Sequence, residues 1–141
     1  MKKLICSIGE YGVVVNQKGD FLILKLAATE MFPHEAWMLP GGMLNVDDQP
    51  EFGLQREILE ETNLTIGVIS PIHTARWGFE AERKYAVFYL CKLSREQKIV
   101  LSSEHTEYKW VNFDAIDSIS WHNQNSGIAV AKSNEILKNC L

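Results

Sequence analysis

The sequence predicts a mixed α/β domain with helices layered on a sheet. Three observations predict it. Strand-like runs stand both before and after one well-formed helical pattern at residues 50–62, a second helical pattern closes the chain, and no repeat, low-complexity segment or Pro/Gly/Ser-rich linker divides the 141 residues. A chain of this length forms one domain, 1–141, and buries roughly 70% of its unfolded surface without needing a disulfide.

The elements follow in order. Residues 11–15 are β-branched and read as a strand, residues 16–20 (NQKGD) as a turn, and residues 21–26 as a second strand, together a hairpin. Residues 27–36 read as a loop. Trp37-Met38-Leu39 is a short strand stopped by Pro40-Gly41-Gly42. For the helix over 50–62, Asp48 is the expected N-cap, with Glu51 three residues on, Pro50 in the first turn and Asn63 as a left-handed C-cap. Residues 65–70, 72–77 and 85–93 read as strands, the last an unbroken apolar run expected to be buried on both faces. Residues 109–111 add a short strand and 114–119 a short helix. Residues 126–137 form a terminal amphipathic helix with Ile128, Ala131, Ile136 and Leu137 on its apolar side.

Composition narrows the function. A net charge of −4 argues against a nucleic-acid binder, which needs a basic face. Cys6, Cys91 and Cys140 are distant and odd in number, as expected for reduced thiols. The apolar stretch after Met1-Lys2-Lys3 is too short for a signal peptide, and no run approaches the ~20 residues of a membrane span. The expectation is a cytoplasmic protein without nucleic-acid or membrane partners. A homodimer is compatible with the sequence, which does not fix the oligomeric state.

The chemistry concentrates on the 50–62 helix. At about 100° per residue, Glu57, Glu60 and Glu61 share an arc of roughly 100°, with Arg56 at its edge and Phe52, Leu54, Ile58 and Leu59 opposite. Three carboxylates at this spacing repel one another by a few tenths of a kcal/mol per pair. They also crowd the last turns, where the helix dipole disfavours negative charge. Such a face is either simply solvated or compensated by a hard divalent cation, which takes carboxylate and phosphate oxygens.

The preceding turn decides between these. Leu39-Pro40-Gly41-Gly42 and the helix resemble the Nudix hydrolase signature: Gly, five residues, Glu, seven residues, then Arg-Glu-aliphatic-any-Glu-Glu-any-Gly-aliphatic. Gly42, Arg56, Glu57, Ile58, Glu60, Glu61 and Leu64 match in register, whereas Asp48 replaces the glutamate and Asn63 the second glycine. Asn keeps the left-handed cap. Asp keeps the charge and loses one methylene of reach.

The resemblance implies an α/β/α sandwich with a mixed central sheet. It implies Mg²⁺, with Mn²⁺ as a substitute, held by Glu57, Glu60 and Glu61, with the Gly41 carbonyl as a further ligand and Arg56 orienting a glutamate of the cluster. It implies a water attacking phosphorus, with Glu57 or a carboxylate outside the helix as base. A further acidic ligand is expected from a downstream loop, with Glu107 the first choice and Glu104 the second. The partner is a small-molecule nucleotide, and the leading activity is splitting a nucleoside triphosphate into monophosphate and pyrophosphate. Hydrolysis of another nucleoside diphosphate compound, such as a nucleotide sugar, is the second. A nucleotide-sensing module that has lost catalysis is the third.

Substrate choice is less legible. Trp77, Phe79 and Tyr85 can stack on a base or belong to the sheet core, the core being favoured for Tyr85. Arg76, Arg83 and Lys84 can meet phosphates or be solvated. Asn123 and Asn125 can read a base edge or cap a helix. His34, His73, His105 and His122 show no zinc-ligand spacing.

Overall fold

The computed structural model describes residues 1–29 and 36–140. Seven strands form one mixed sheet: β1 Ser7–Val15, β2 Phe21–Leu26, β3 Trp37–Met38, β4 Gly41–Met43, β5 Gly67–Trp77, β6 Lys84–Lys92 and β7 His105–Val111. Helices α1 (Pro50–Thr62) and α2 (Gln124–Asn139) complete it. Strand alternation sends one set of side chains to each face. Val14, Leu22, Leu24, Tyr89 and Cys91 pack with Leu54 and Ile58 of α1, while Val13, Phe21, Ile23 and Phe88 pack with Ala129 and Val130 of α2. The sheet is thus covered on both faces, as expected.

The register corrects the hairpin reading. The turn after β1 forms, with the Asn16 side-chain oxygen accepting from the Lys18 and Asp20 N–H groups and Gly19 at φ 83°. Yet β1 and β2 are in register only at Val15↔Phe21. Beyond it they splay, and the segment from Trp37 to Met43 fills the gap. β3 pairs with β2, and β4 pairs with β1 at Glu10↔Gly42 and Tyr11↔Gly41. On its other edge β1 runs parallel to β6 for its whole length, and β7 lines β2. Pro40-Gly41-Gly42 was expected to end a strand; β3 does end at Met38, and the chain resumes at Gly41 as β4 against a different neighbour. Gly41 stands at φ 145° against the Glu10–Tyr11 backbone, where any Cβ would collide with the Glu10 carbonyl.

Other boundaries moved for identifiable reasons. The two strands expected at 65–77 are one, β5, an edge strand whose register shifts on both sides of Ser70–Pro71. An edge tolerates the missing proline N–H. β7 begins at His105, four residues earlier than expected. The C-cap Asn63 holds φ 64°, and its N–H bonds the Leu59 carbonyl at 2.8 Å. The N-cap is Gln49, not Asp48, whose carboxylate is engaged elsewhere. In α2, Ile128 and Ile136 are exposed, and Ser126, Ala129, Val130 and Ser133 face the sheet. Small residues let the helix lie close, and the Ser133 hydroxyl is satisfied by the Ala129 carbonyl at 2.9 Å. In α1, Leu54 and Ile58 are buried while Phe52 and Leu59 are exposed.

Candidate active site

The helix α1 reaches the sheet where β4 pairs with β1, so the acidic face meets Gly41 and Gly42. Glu61 is only 4% exposed, and one carboxylate oxygen accepts the Gly41 N–H at 2.7 Å. Burial lifts its carboxyl to about 8, outweighing that hydrogen bond, with Glu104, Glu57 and Glu60 adding repulsion. One turn earlier, Glu57 lies over Gly42: a Cβ there would come within 2.5 Å of the Glu57 carboxylate. Partial burial raises the Glu57 pKa as well. Glu60 points outward.

Arg56 ties the face together. It donates to Asp48 at 2.7 Å, to Glu60 at 3.2 Å and to Glu57 at 3.3 Å. The Asp48 pairing holds that carboxyl below its usual range. Asp48 also accepts the Asn45 N–H at 3.2 Å, which orders the loop entering α1. The shorter side chain therefore still reaches the arginine.

The two downstream glutamates part company. Glu104 has a carboxylate oxygen within 4.8 Å of ligand atoms of both Glu61 and His105. Glu107 lies within β7, opposite Lys25 of β2, and pairs with that ammonium at 3.5 Å. Two further residues of the site carried no signal in the sequence reading. Glu10, in the middle of β1 and 2% exposed, lies beneath α1. Burial lifts its carboxyl to about 7, and one of its oxygens has no hydrogen-bond partner among the described residues. His105 is also buried, and that burial holds its pKa below the ordinary imidazole value.

On the opposite face, the side chains of Tyr11, Met38, Trp77, Phe88, His122, Asn123 and Ser126 enclose a hollow of about 30 Å³, enough for roughly one water. A hydrogen-bonded chain backs it. Lys132 meets His73 Nδ1 at 2.9 Å, His73 Nε2 meets Asn125 Oδ1 at 3.0 Å, and Asn125 donates to Asn123 Oδ1 at 3.1 Å. Asn123 is also the N-cap of α2. Trp77 packs on the core beside this hollow, while Phe79 and, against expectation, Tyr85 are exposed on the β5–β6 hairpin with Arg76, Arg83 and Lys84. The three cysteines are free, as expected. His34 falls outside the described residues.

Known proteins share this fold. Residues 10–131 match the NUDIX domain. The chain belongs to the Nudix family. A MutT-like protein of Streptomyces ambofaciens is 32% identical over 110 residues, which are 78% of this chain and 66% of that protein. The chain thus spans just under two thirds of that relative. An RNA pyrophosphohydrolase of Zymomonas mobilis is 29% identical over 119 residues, covering 71% of this chain and 76% of that one. Among solved structures, the MutT protein of Methanosarcina mazei superposes with a TM-score of 0.80 at 24% identity, covering 98% of this chain and 99% of that chain. A C. elegans Ap4A hydrolase superposes at 0.79 and 20% identity, covering 94% and 98%. At these identities the structural likeness establishes the Nudix fold. No helix among the described residues is long and apolar enough to cross a membrane.

Proposed function

We propose that this Nudix domain is a Mg²⁺-dependent pyrophosphohydrolase that splits a nucleoside triphosphate into monophosphate and pyrophosphate. The observation that carries the proposal is the acidic face of α1 set against β4, with Glu61 on the Gly41 N–H, Glu57 over Gly42, the Glu104 carboxylate within 4.8 Å of that of Glu61, and Arg56 pinned by Asp48. The donor set fits a hard divalent ion. Glu61 is buried with its charge poorly compensated, and Gly42 leaves the space that the Glu57 carboxylate fills. Glu57, Glu60, Glu61 and the Gly41 carbonyl would hold the ion, with Glu104 in the place first given to Glu107, which Lys25 occupies. A bound divalent ion polarises phosphoryl oxygens and neutralises charge on the leaving pyrophosphate.

The chain's own residues would do the rest. Glu57 accepts the proton of the attacking water as its oxygen bonds to phosphorus and the bridging P–O bond breaks. Its raised pKa makes it a better acceptor than an ordinary surface glutamate. Arg56 holds Glu57 and Glu60 in place through one terminal nitrogen while the other is anchored on Asp48. Because Asp48 reaches Arg56, the replacement of glutamate by aspartate does not favour a catalytically dead sensor.

The test is a panel of nucleoside triphosphates, oxidised nucleotides, dinucleotides and nucleotide sugars, incubated with Mg²⁺ or with a chelator. Metal-dependent pyrophosphate release from a triphosphate is the expected result. Turnover only of a dinucleotide or nucleotide sugar would replace the substrate class, and binding without turnover anywhere would replace the reaction.

A further inference from the structure

His105 is a buried polar side chain that the proposed hydrolysis does not use. It opens β7 and is 5% exposed. Neither ring nitrogen makes a full-strength hydrogen bond. Nδ1 has no partner among the described residues, and Nε2 has only the Met38 thioether at 3.5 Å and a Glu61 oxygen at 3.6 Å. The second distance is too long for a hydrogen bond. It is close to the spacing of two ligands sharing an ion, since donor atoms about 2.1 Å from a metal stand about 3.0–3.4 Å apart at octahedral or tetrahedral angles, a few tenths of an ångström less than this separation. The Glu104 carboxylate completes the group, with the donor atoms of all three residues within 4.8 Å of one another.

We propose that Glu61, Glu104 and His105 form a mixed oxygen–nitrogen site that selects a transition-metal ion such as Mn²⁺ over Mg²⁺. The inference rests on reading the acidic face of α1 as a metal site, and it adds the nitrogen donor. Magnesium demands hard oxygen ligands and sheds its waters reluctantly. Imidazole suits later first-row ions, whose affinity for nitrogen-containing sites rises along the series from manganese. Glu61 is held from the other side by the Gly41 N–H, so its second oxygen is already turned toward His105. The ion would take the place of the Met38 thioether as the partner of Nε2.

Pulsed electron paramagnetic resonance of the intact protein loaded with Mn²⁺ alone gives the direct test, independent of turnover. The expected result is ¹⁴N modulation from a directly bound imidazole. In parallel, His105→Gln, checked for an unchanged melting temperature in chelator, should weaken Mn²⁺ binding at least about tenfold and Mg²⁺ binding by less than about twofold. Should that variant fail to fold, the wild-type spectrum still decides. Mn²⁺ bound without ¹⁴N modulation overturns the histidine ligand and leaves the carboxylate site standing. No Mn²⁺ binding at all overturns both.

Discussion

The two helices cover opposite faces of one sheet and bury different things. α2 presents Ser126, Ala129, Val130 and Ser133, neutral and small, with the Ser133 hydroxyl satisfied within the helix. α1 presents Leu54 and Ile58 but also Glu61, a carboxylate that burial pushes to about 8. Packing explains α2 fully. It does not explain α1, because burying a poorly compensated carboxylate costs stability that leucine would not. The difference separates a helix selected for folding from one that also carries chemistry.

Substitutions should sharpen that contrast, and the largest effect belongs to α1. Glu60→Gln removes an exposed carboxylate and some like-charge repulsion. Turnover is expected to fall at least about 100-fold, as when a charge-stabilising group leaves an active site, with an unchanged melting curve. Steady-state rates beside circular dichroism would show it.

Next comes Gly42→Ala. Its methyl group would collide with the Glu57 carboxylate. A loss of about tenfold or more in kcat is expected, together with destabilisation of about 1–3 kcal/mol from overpacking. Wild-type kcat would show that the space over Gly42 is not needed.

Comparing Glu104→Gln with Glu107→Gln tests the downstream acid. The first should weaken divalent-ion binding about tenfold by calorimetry. The second, which only breaks a half-exposed pair with Lys25, should cost about 0–1 kcal/mol of stability and leave binding unchanged. Equal losses of binding would restore Glu107 to the site.

The pH dependence is a smaller effect. Glu61 and Glu10 have folded pKa values of about 8 and about 7, both above their ordinary value of 4.5. In this range the folded protein holds more protons than the unfolded chain, so its stability falls as pH rises toward 8. His105, depressed by burial, acts oppositely, but only below about pH 6.5. The melting temperature of metal-free protein should therefore drop between pH 6.5 and 8.5, and a divalent ion should restore more of it at the upper end. A flat profile would mean that these carboxylates are solvated. The smallest effect lies in α2, where Ser133→Ala should change stability by less than about 1 kcal/mol and activity not at all.

Much of this was legible in the sequence wherever local pattern governs. Residues 50–62, Asn63 at φ 64° and the strand expected at 85–93, observed as Lys84–Lys92, follow from periodicity and capping. The splaying of β1 from β2 was not legible, because a turn signal at residues 16–20 says nothing about what wedges in beyond it. On α2 apolarity is an incomplete guide: Leu137 packs on the core as expected, but Ile128 and Ile136 are exposed, and close approach to the sheet selects Ser126, Ala129 and Ser133. In the site, the spacing of Arg56, Glu57, Glu60 and Glu61 is local and readable. Glu10, Glu104 and His105 join through long-range strand pairing. Glu10 stands just before the strand read at residues 11–15, so nothing local marked it.

The central claim is that the buried acidic face of α1 exists for metal-dependent hydrolysis. Its most direct test is the pyrophosphate-release rate of wild type and Glu61→Gln side by side, with Mg²⁺ and with chelator. The account predicts wild-type turnover that chelator abolishes, and a variant that folds as well or better yet turns over at least about 100-fold more slowly. A folded Glu61→Gln protein with near wild-type, metal-dependent turnover would contradict it.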